Sequence, residues 1–95
     1  MAAYAIFIRE GDIVDPEAMA AYQSGNSSAP PDSGLKPLVV YGAMEWLEGE
    51  PADGIVILEF PDMQKARDWY YGDYQERAKL RQKAAPYRAV LVEGF

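Results

Sequence analysis

One carboxylate stands where a core strand is expected. Glu59 lies between Leu58 and Phe60, at the end of the apolar run Ile55–Leu58. Strand alternation puts it on the face of Ile55 and Ile57, opposite Val56, Leu58 and Phe60. A helix start follows at once, so Leu58 and Phe60 suit a helix-covered face. Glu59 is then expected on the other face, inside a barrel or at its mouth. A lone carboxylate taken from water must find a cation or take up a proton. Arg9 and Arg81 are the candidate cations, and Glu45 is a candidate carboxylate neighbour. Glu59 reads either as a general base with raised pKa, acting on a small acidic substrate, or as an ion pair that closes a strand end.

The aromatic residues Trp46, Trp69, Tyr70 and Tyr74 frame the same question. Arg81 follows Tyr74 by seven residues, two turns of one helix, so the two can border one groove. Tyr70 and Arg81 therefore join Glu59 as candidate catalytic residues, with Arg9, Glu45, Trp69 and Tyr74 as candidate ligand-binding ones. A cleft lined by tyrosine, tryptophan and arginine suits a planar aromatic or carboxylate-bearing compound. Aromatic residues at helical spacing equally suit a core, and Lys79, Arg81 and Lys83 together suit a solvated helix face.

Composition narrows the chemistry. The chain has 95 residues with no histidine, cysteine or threonine. Ser–His–Asp and Cys–His nucleophiles within one chain are excluded, as are thiolate metal sites. No spacing resembles an oxygen-ligand calcium loop, so no metal is expected. Net charge is −6. Residues 1–62 carry eleven acids against Arg9 and Lys36, and residues 63–95 carry seven bases against four acids. That balance repels phosphate backbones, and no nucleic-acid partner is expected. The N-terminal stretch has no basic segment and too short an apolar run for a signal peptide or membrane span. A cytoplasmic protein with no membrane partner is the expectation.

The positioning elements follow from pattern. Ala2–Glu10 alternates as a strand. Asp15, Pro16 and Glu17 start a first helix that runs through "PEAMAAYQ". Ser24–Pro37 reads as a long irregular loop rich in Ser, Gly and Pro. Pro37–Gly49 reads as a second, long strand with a bulge or close approach at Gly42. Glu48–Gly54 reads as the turn of an antiparallel hairpin into the strand "GIVILEF". Asp62 caps a second helix with Met63, Ala66 and Tyr70 facing the sheet. Gly72 and Asp73 interrupt it, and a further helical piece carries Tyr74, Ala78 and Arg81 along one side. Pro86 precedes the closing strand "YRAVLVEGF".

The order β-α-β-β-α-β is the α+β, ferredoxin-like arrangement, with an antiparallel sheet and both helices on one face. Residues 1–95 read as one such domain. Strands this apolar leave the second face in need of cover, which a second copy supplies as a sheet-on-sheet homodimer.

Four pieces together, "LEG" (47–49), "LEFP" (58–61), "WY" (69–70) and "VEG" (92–94), give a resemblance to the domain-of-unknown-function 1330 family, of the dimeric α/β-barrel superfamily. The resemblance covers nearly the whole chain and implies architecture rather than a reaction. Relatives in the wider superfamily include cofactor-free monooxygenases, lactone isomerases and haem enzymes. The usual haem-binding histidine of such relatives has no counterpart here, and no cofactor is expected. Two departures fall at the expected rim of a cleft: "YGD" is one residue shorter than the family's usual segment, and the end of helix one is the Ser24–Pro37 loop. The expected function is to bind or transform a small organic compound, aromatic or carboxylate-bearing, with Glu59 as candidate base. The alternative is a non-catalytic homodimer in which these charges only stabilise the fold.

Overall fold

Four strands hydrogen-bond in the order β2-β3-β1-β4, every pair antiparallel. They are β1 (Ala3–Arg9), β2 (Lys36–Val40), β3 (Gly54–Phe60) and β4 (Tyr87–Glu93). The helices are α1 (Pro16–Ser27), α2 (Met63–Tyr71) and α3 (Tyr74–Ala84). This computed structural model describes residues 1–27, 34–72 and 74–95, the first of these ranges as backbone alone from 24 to 27.

Strand alternation divides the sheet into two unlike faces. Ala3, Ala5 and Phe7 of β1 lie beside Phe60, Leu58 and Val56 of β3 and beside Leu91 and Ala89 of β4. This side carries the core, where Ala3, Ala5, Phe7 and Phe60 pack against Ala66 of α2 and Tyr74 and Ala78 of α3. The small alanines of β1 let the helices sit close, and Phe60 and Tyr74 fill the space between. The other face presents Tyr4, Ile6 and Ile8, then Ile55, Ile57 and Glu59, then Val90 and Val92. No helix packs there among the described residues.

Helix ends follow local chemistry. Asp15 Oδ1 accepts from the Ala18 N–H at 3.0 Å, and Asp62 Oδ1 accepts from the Lys65 N–H at 2.8 Å. Each cap satisfies one of the donors that a helix start leaves unpaired. Gly72 separates α2 from α3, and a Cβ there would lie 2.6 Å from the Asp68 carbonyl oxygen.

Three expectations are corrected. Helix α1 continues to Ser27 instead of ending near Gln23, because Ala18 and Met19 pack on Ala84 of α3 and on Ala85 just after it and carry the helix on. The stretch read as a loop, Ser24–Pro37, thus begins as helix and ends as strand; residues 28–33 lie outside the described residues. The second strand is Lys36–Val40, not Pro37–Gly49. Tyr41 still donates its N–H to the Ile55 carbonyl but turns the chain away with φ +53, and β3 begins only at Gly54, so the hairpin does not extend through residues 42–52. That segment holds glycine, alanine and three acids, all poor strand formers. The bulge falls between Pro37 and Val39, and Gly42 has nothing within 4 Å of where a Cβ would stand.

Candidate functional site

Arg81 is the residue around which the helix side is arranged. It is 3% exposed, whereas its neighbours Lys79 and Lys83 stand in solvent and pair with Glu76 at 3.4 Å and Asp15 at 3.6 Å. The surface expectation holds for those two lysines and fails for Arg81. Helical periodicity explains the difference, because Tyr74, Ala78 and Arg81 form the buried stripe of α3.

The guanidinium lies among aromatic rings rather than acids. Its Nε–H donates to the Tyr74 hydroxyl at 3.1 Å. Its Cζ stands 5.0 Å from the centre of the Phe7 ring and 5.2 Å from that of Tyr87, within cation–π reach of both. Among the described residues no carboxylate pairs with it. Tyr74 in turn shares a hydrogen bond of 2.6 Å with the Tyr22 hydroxyl from α1.

A second phenol pair adjoins the first. Tyr87 opens β4 directly opposite Arg9 of β1, and its hydroxyl meets that of Tyr41 at 2.5 Å. The Arg9 Cζ lies 5.8 Å from the centre of the Tyr41 ring, and one terminal nitrogen of Arg9 donates to the Asp53 carbonyl at 3.2 Å. The Arg9 Nε is buried without a hydrogen-bond partner. Gly54 makes this packing possible: a Cβ there would stand 2.6 Å from Cδ1 of the Tyr41 ring.

Burial pushes the Tyr74 phenol well above its ordinary value, the adjoining Tyr22 hydroxyl adds to the rise, and Arg81 only partly opposes it. Tyr87 is raised likewise, by burial first and then by its hydrogen bond with Tyr41. Both phenols are therefore neutral at ordinary pH. Neither supplies the negative charge that Arg81 lacks.

The other expected site residues divide between the two faces. Glu59 lies on the helix-free face as expected, beside Tyr4 and opposite Lys36. Its expected arginine partners are elsewhere. Arg81 is across the sheet, and Arg9 is on the helix side, five residues along β1 from Tyr4, about 17 Å at strand rise. Glu45 and Trp46 fall in the exposed 41–53 segment, outside the strands, so strand pairing sets Lys36 and not Glu45 opposite Glu59. Trp69 stacks on Tyr74 with ring centres 4.2 Å apart and packs against Phe7 and Phe60, which makes it core. Tyr70 is half-buried at the edge of a cavity of about 190 Å³ with Tyr71, Phe7 and β4 residues. The sheet thus separates the candidate base from Tyr70, Tyr74 and Arg81, and the four cannot act together within one subunit. Sequence reasoning passed over Phe7, Tyr22, Tyr41 and Tyr87. Only Tyr87 left a signal, since antiparallel pairing of the first and last strands sets it opposite Arg9.

An antiparallel four-stranded sheet with its helices on one face and this strand order defines a ferredoxin-like α+β protein. The chain belongs to the DUF1330 family, a domain of unknown function, whose family model matches residues 2–95. It is similar to the crystal structure of RPA0582, a protein of unknown function from Rhodopseudomonas palustris, with TM-score 0.67 and 20% identity over 99% of this chain and 82% of that one. A methylated form of RPA0582 gives TM-score 0.71, again at 20% identity, over 99% and 81% of the two chains. A protein of unknown function from Bacteroides fragilis, described as dimeric and of ferredoxin-like fold, gives TM-score 0.59 at 16% identity over 98% and 96%. No curated protein matches the chain. At these identities the likeness concerns the fold. Among the described residues no cluster of acidic side chains suits a metal ion, and no helix is long and apolar enough to cross a membrane.

Proposed function

We propose that this chain works as a cytoplasmic homodimer that binds a small organic anion on the helix side of its sheet, without a tightly bound cofactor. One observation carries the reading: among the described residues Arg81 is buried with no acid beside it, its Nε–H donating to the neutral Tyr74 hydroxyl. Removing a cation from water costs several kcal/mol, and a bound anion offsets that cost directly. Arg9, with its buried and unpartnered Nε, extends the donor-rich region.

The homodimer is supported by the helix-free face, where Ile6, Ile57 and Val90 form an apolar row across three strands. A face of this kind finds its cover in a second sheet. In this reading Glu59, opposite Lys36, belongs to the dimer face. Among the described residues no carboxylate base then stands at the anion site, and catalysis there would rest on polarisation by Arg81 and the phenols.

The structural alternative has its own support, since Arg81 already stacks on Phe7 and Tyr87 and bonds Tyr74. Native mass spectrometry of freshly purified protein beside Arg81→Met separates the two. A small acidic mass retained by the wild type and lost by a folded variant supports the anion site. Empty wild type, with a variant of equal or greater stability, assigns Arg81 to packing alone.

A further inference from the structure

Residues 42–51 are exposed throughout, although they hold Met44, Trp46 and Leu47. Apolar side chains gathered on one short projecting segment mark a contact surface. The two ends of the segment are tied to the sheet. Tyr41 donates its N–H to the Ile55 carbonyl at 2.9 Å, and the Asp53 N–H donates to the Arg9 carbonyl at 2.8 Å. Between these ends lie Glu45, Glu48 and Glu50 and no base.

A surface of matching chemistry lies at the opposite edge of the sheet. Between β4 and the C-terminal end of α2, a groove of about 190 Å³ is lined by Phe7, Tyr70, Tyr71, Ala89, Val90 and Leu91. It is open to solvent, with Tyr71 71% exposed and Val90 52%. Arg67 precedes Tyr70 and Tyr71 by three and four residues on α2, so its side chain neighbours theirs. It is exposed, and among the described residues no acid pairs with it. An apolar groove with a cation at its rim complements an apolar segment whose only charges are acids.

Resting on the homodimer proposed above, we propose that each subunit lays residues 42–51 as an arm into this groove of the other copy. Topology supplies the route. Strands β2 and β4 are the two edges of the sheet. When two copies pair through their helix-free faces about a two-fold axis along the strands, β2 of one lies over β4 of the other. That axis also keeps the Arg9–Tyr87 ends of both sheets together, so an arm leaving at Tyr41 arrives beside the first half of the other β4. Its reach suffices: five residues out and five back extend about 17 Å, against about 10 Å between packed sheets. Met44, Trp46 and Leu47 then cover Tyr71 and Ala89, and an arm carboxylate meets Arg67.

The chain has no cysteine, so an introduced thiol reports on a single position. The test co-expresses a Glu48→Cys chain with an Ala89→Cys chain, treats the protein with a short bismaleimide and resolves the products by intact mass. The mixed covalent pair is expected at least ten-fold above either like pair. Leu47→Ser, at a position 83% exposed in the single chain, is expected to weaken self-association at least ten-fold with unchanged helical circular dichroism. A wild type that runs as a single chain overturns the homodimer reading and the arm with it. A wild-type dimer without the mixed pair overturns the arm's place while the homodimer stands, and leaves the groove to another occupant. Self-association of Leu47→Ser as tight as the wild type's also overturns the arm contact.

Discussion

Arg81 reaches back two turns along α3 and donates its Nε–H to the Tyr74 hydroxyl at 3.1 Å, both side chains being buried. The same hydroxyl joins Tyr22 of α1. One oxygen therefore links the packing of α1 on α3 to the orientation of the guanidinium.

Tyr74→Phe tests that link. The change keeps the ring stacked on Trp69 but leaves the Arg81 Nε and the Tyr22 hydroxyl without their partner. Leaving buried polar groups unsatisfied costs about 1–3 kcal/mol. Tyr22→Phe removes one neutral contact and should cost less, about 0.5–1.5 kcal/mol. Urea unfolding of the two variants checks the order, and equal losses would mean that the Arg81 contact contributes nothing.

The raised phenols predict a fall in stability at alkaline pH. Tyr74 and Tyr87 ionise in the unfolded chain near their ordinary value of 10.0, and above it when folded. Below pH 10 their contribution is level. As pH rises past 10, the unfolded chain releases protons that the folded chain retains, so stability declines. Calorimetry at pH 9 and 11 should show a smaller drop in melting temperature for Tyr74→Phe than for the wild type. An unchanged drop would mean that Tyr74 titrates as in the unfolded chain.

The division between legible and illegible features follows the range of the interactions. Asp15 and Asp62 act on donors three residues away, so both helix starts could be read from sequence. Alternation placed Glu59 on the correct face, because period two depends only on the strand itself. What lies opposite it could not be read, since strand register sets Lys36 there and Arg81 lies on the far side of the sheet. The tyrosine pairs escaped for the same reason: Tyr22 and Tyr74 are 52 residues apart, and Tyr41 and Tyr87 are 46. Residues 42–49 alternate well enough for a strand, but among the described residues no strand lies beside them to pair with.

Two glycines twelve residues apart should respond differently to alanine. At Gly54 the added Cβ meets the Tyr41 ring at 2.6 Å, whereas at Gly42 nothing lies within 4 Å. Gly54→Ala should push Tyr41 off Tyr87 and cost about 1–3 kcal/mol, the usual range for overpacking. Gly42→Ala should lie within about 0.5 kcal/mol of wild type. Thermal melts decide the matter, and a neutral Gly54→Ala would show that the Tyr41 ring can move at no cost.

Ile57 provides the test of the proposed dimer. It lies on the helix-free face, between Ile6 of β1 and Val39 of β2. A lysine there would bring a charge to the middle of an apolar contact between two sheets, a desolvation cost of several kcal/mol per subunit. Light scattering after size exclusion should give the wild type twice the 10.6 kDa chain mass and Ile57→Lys a single chain mass. Helical signals should persist in the variant, because the core on the opposite face is untouched. Glu59→Gln, by contrast, keeps the shape of the side chain and should leave the dimer assembled. A wild type that runs as a single chain, or an Ile57→Lys protein that stays paired, would place the contact between copies on some other surface.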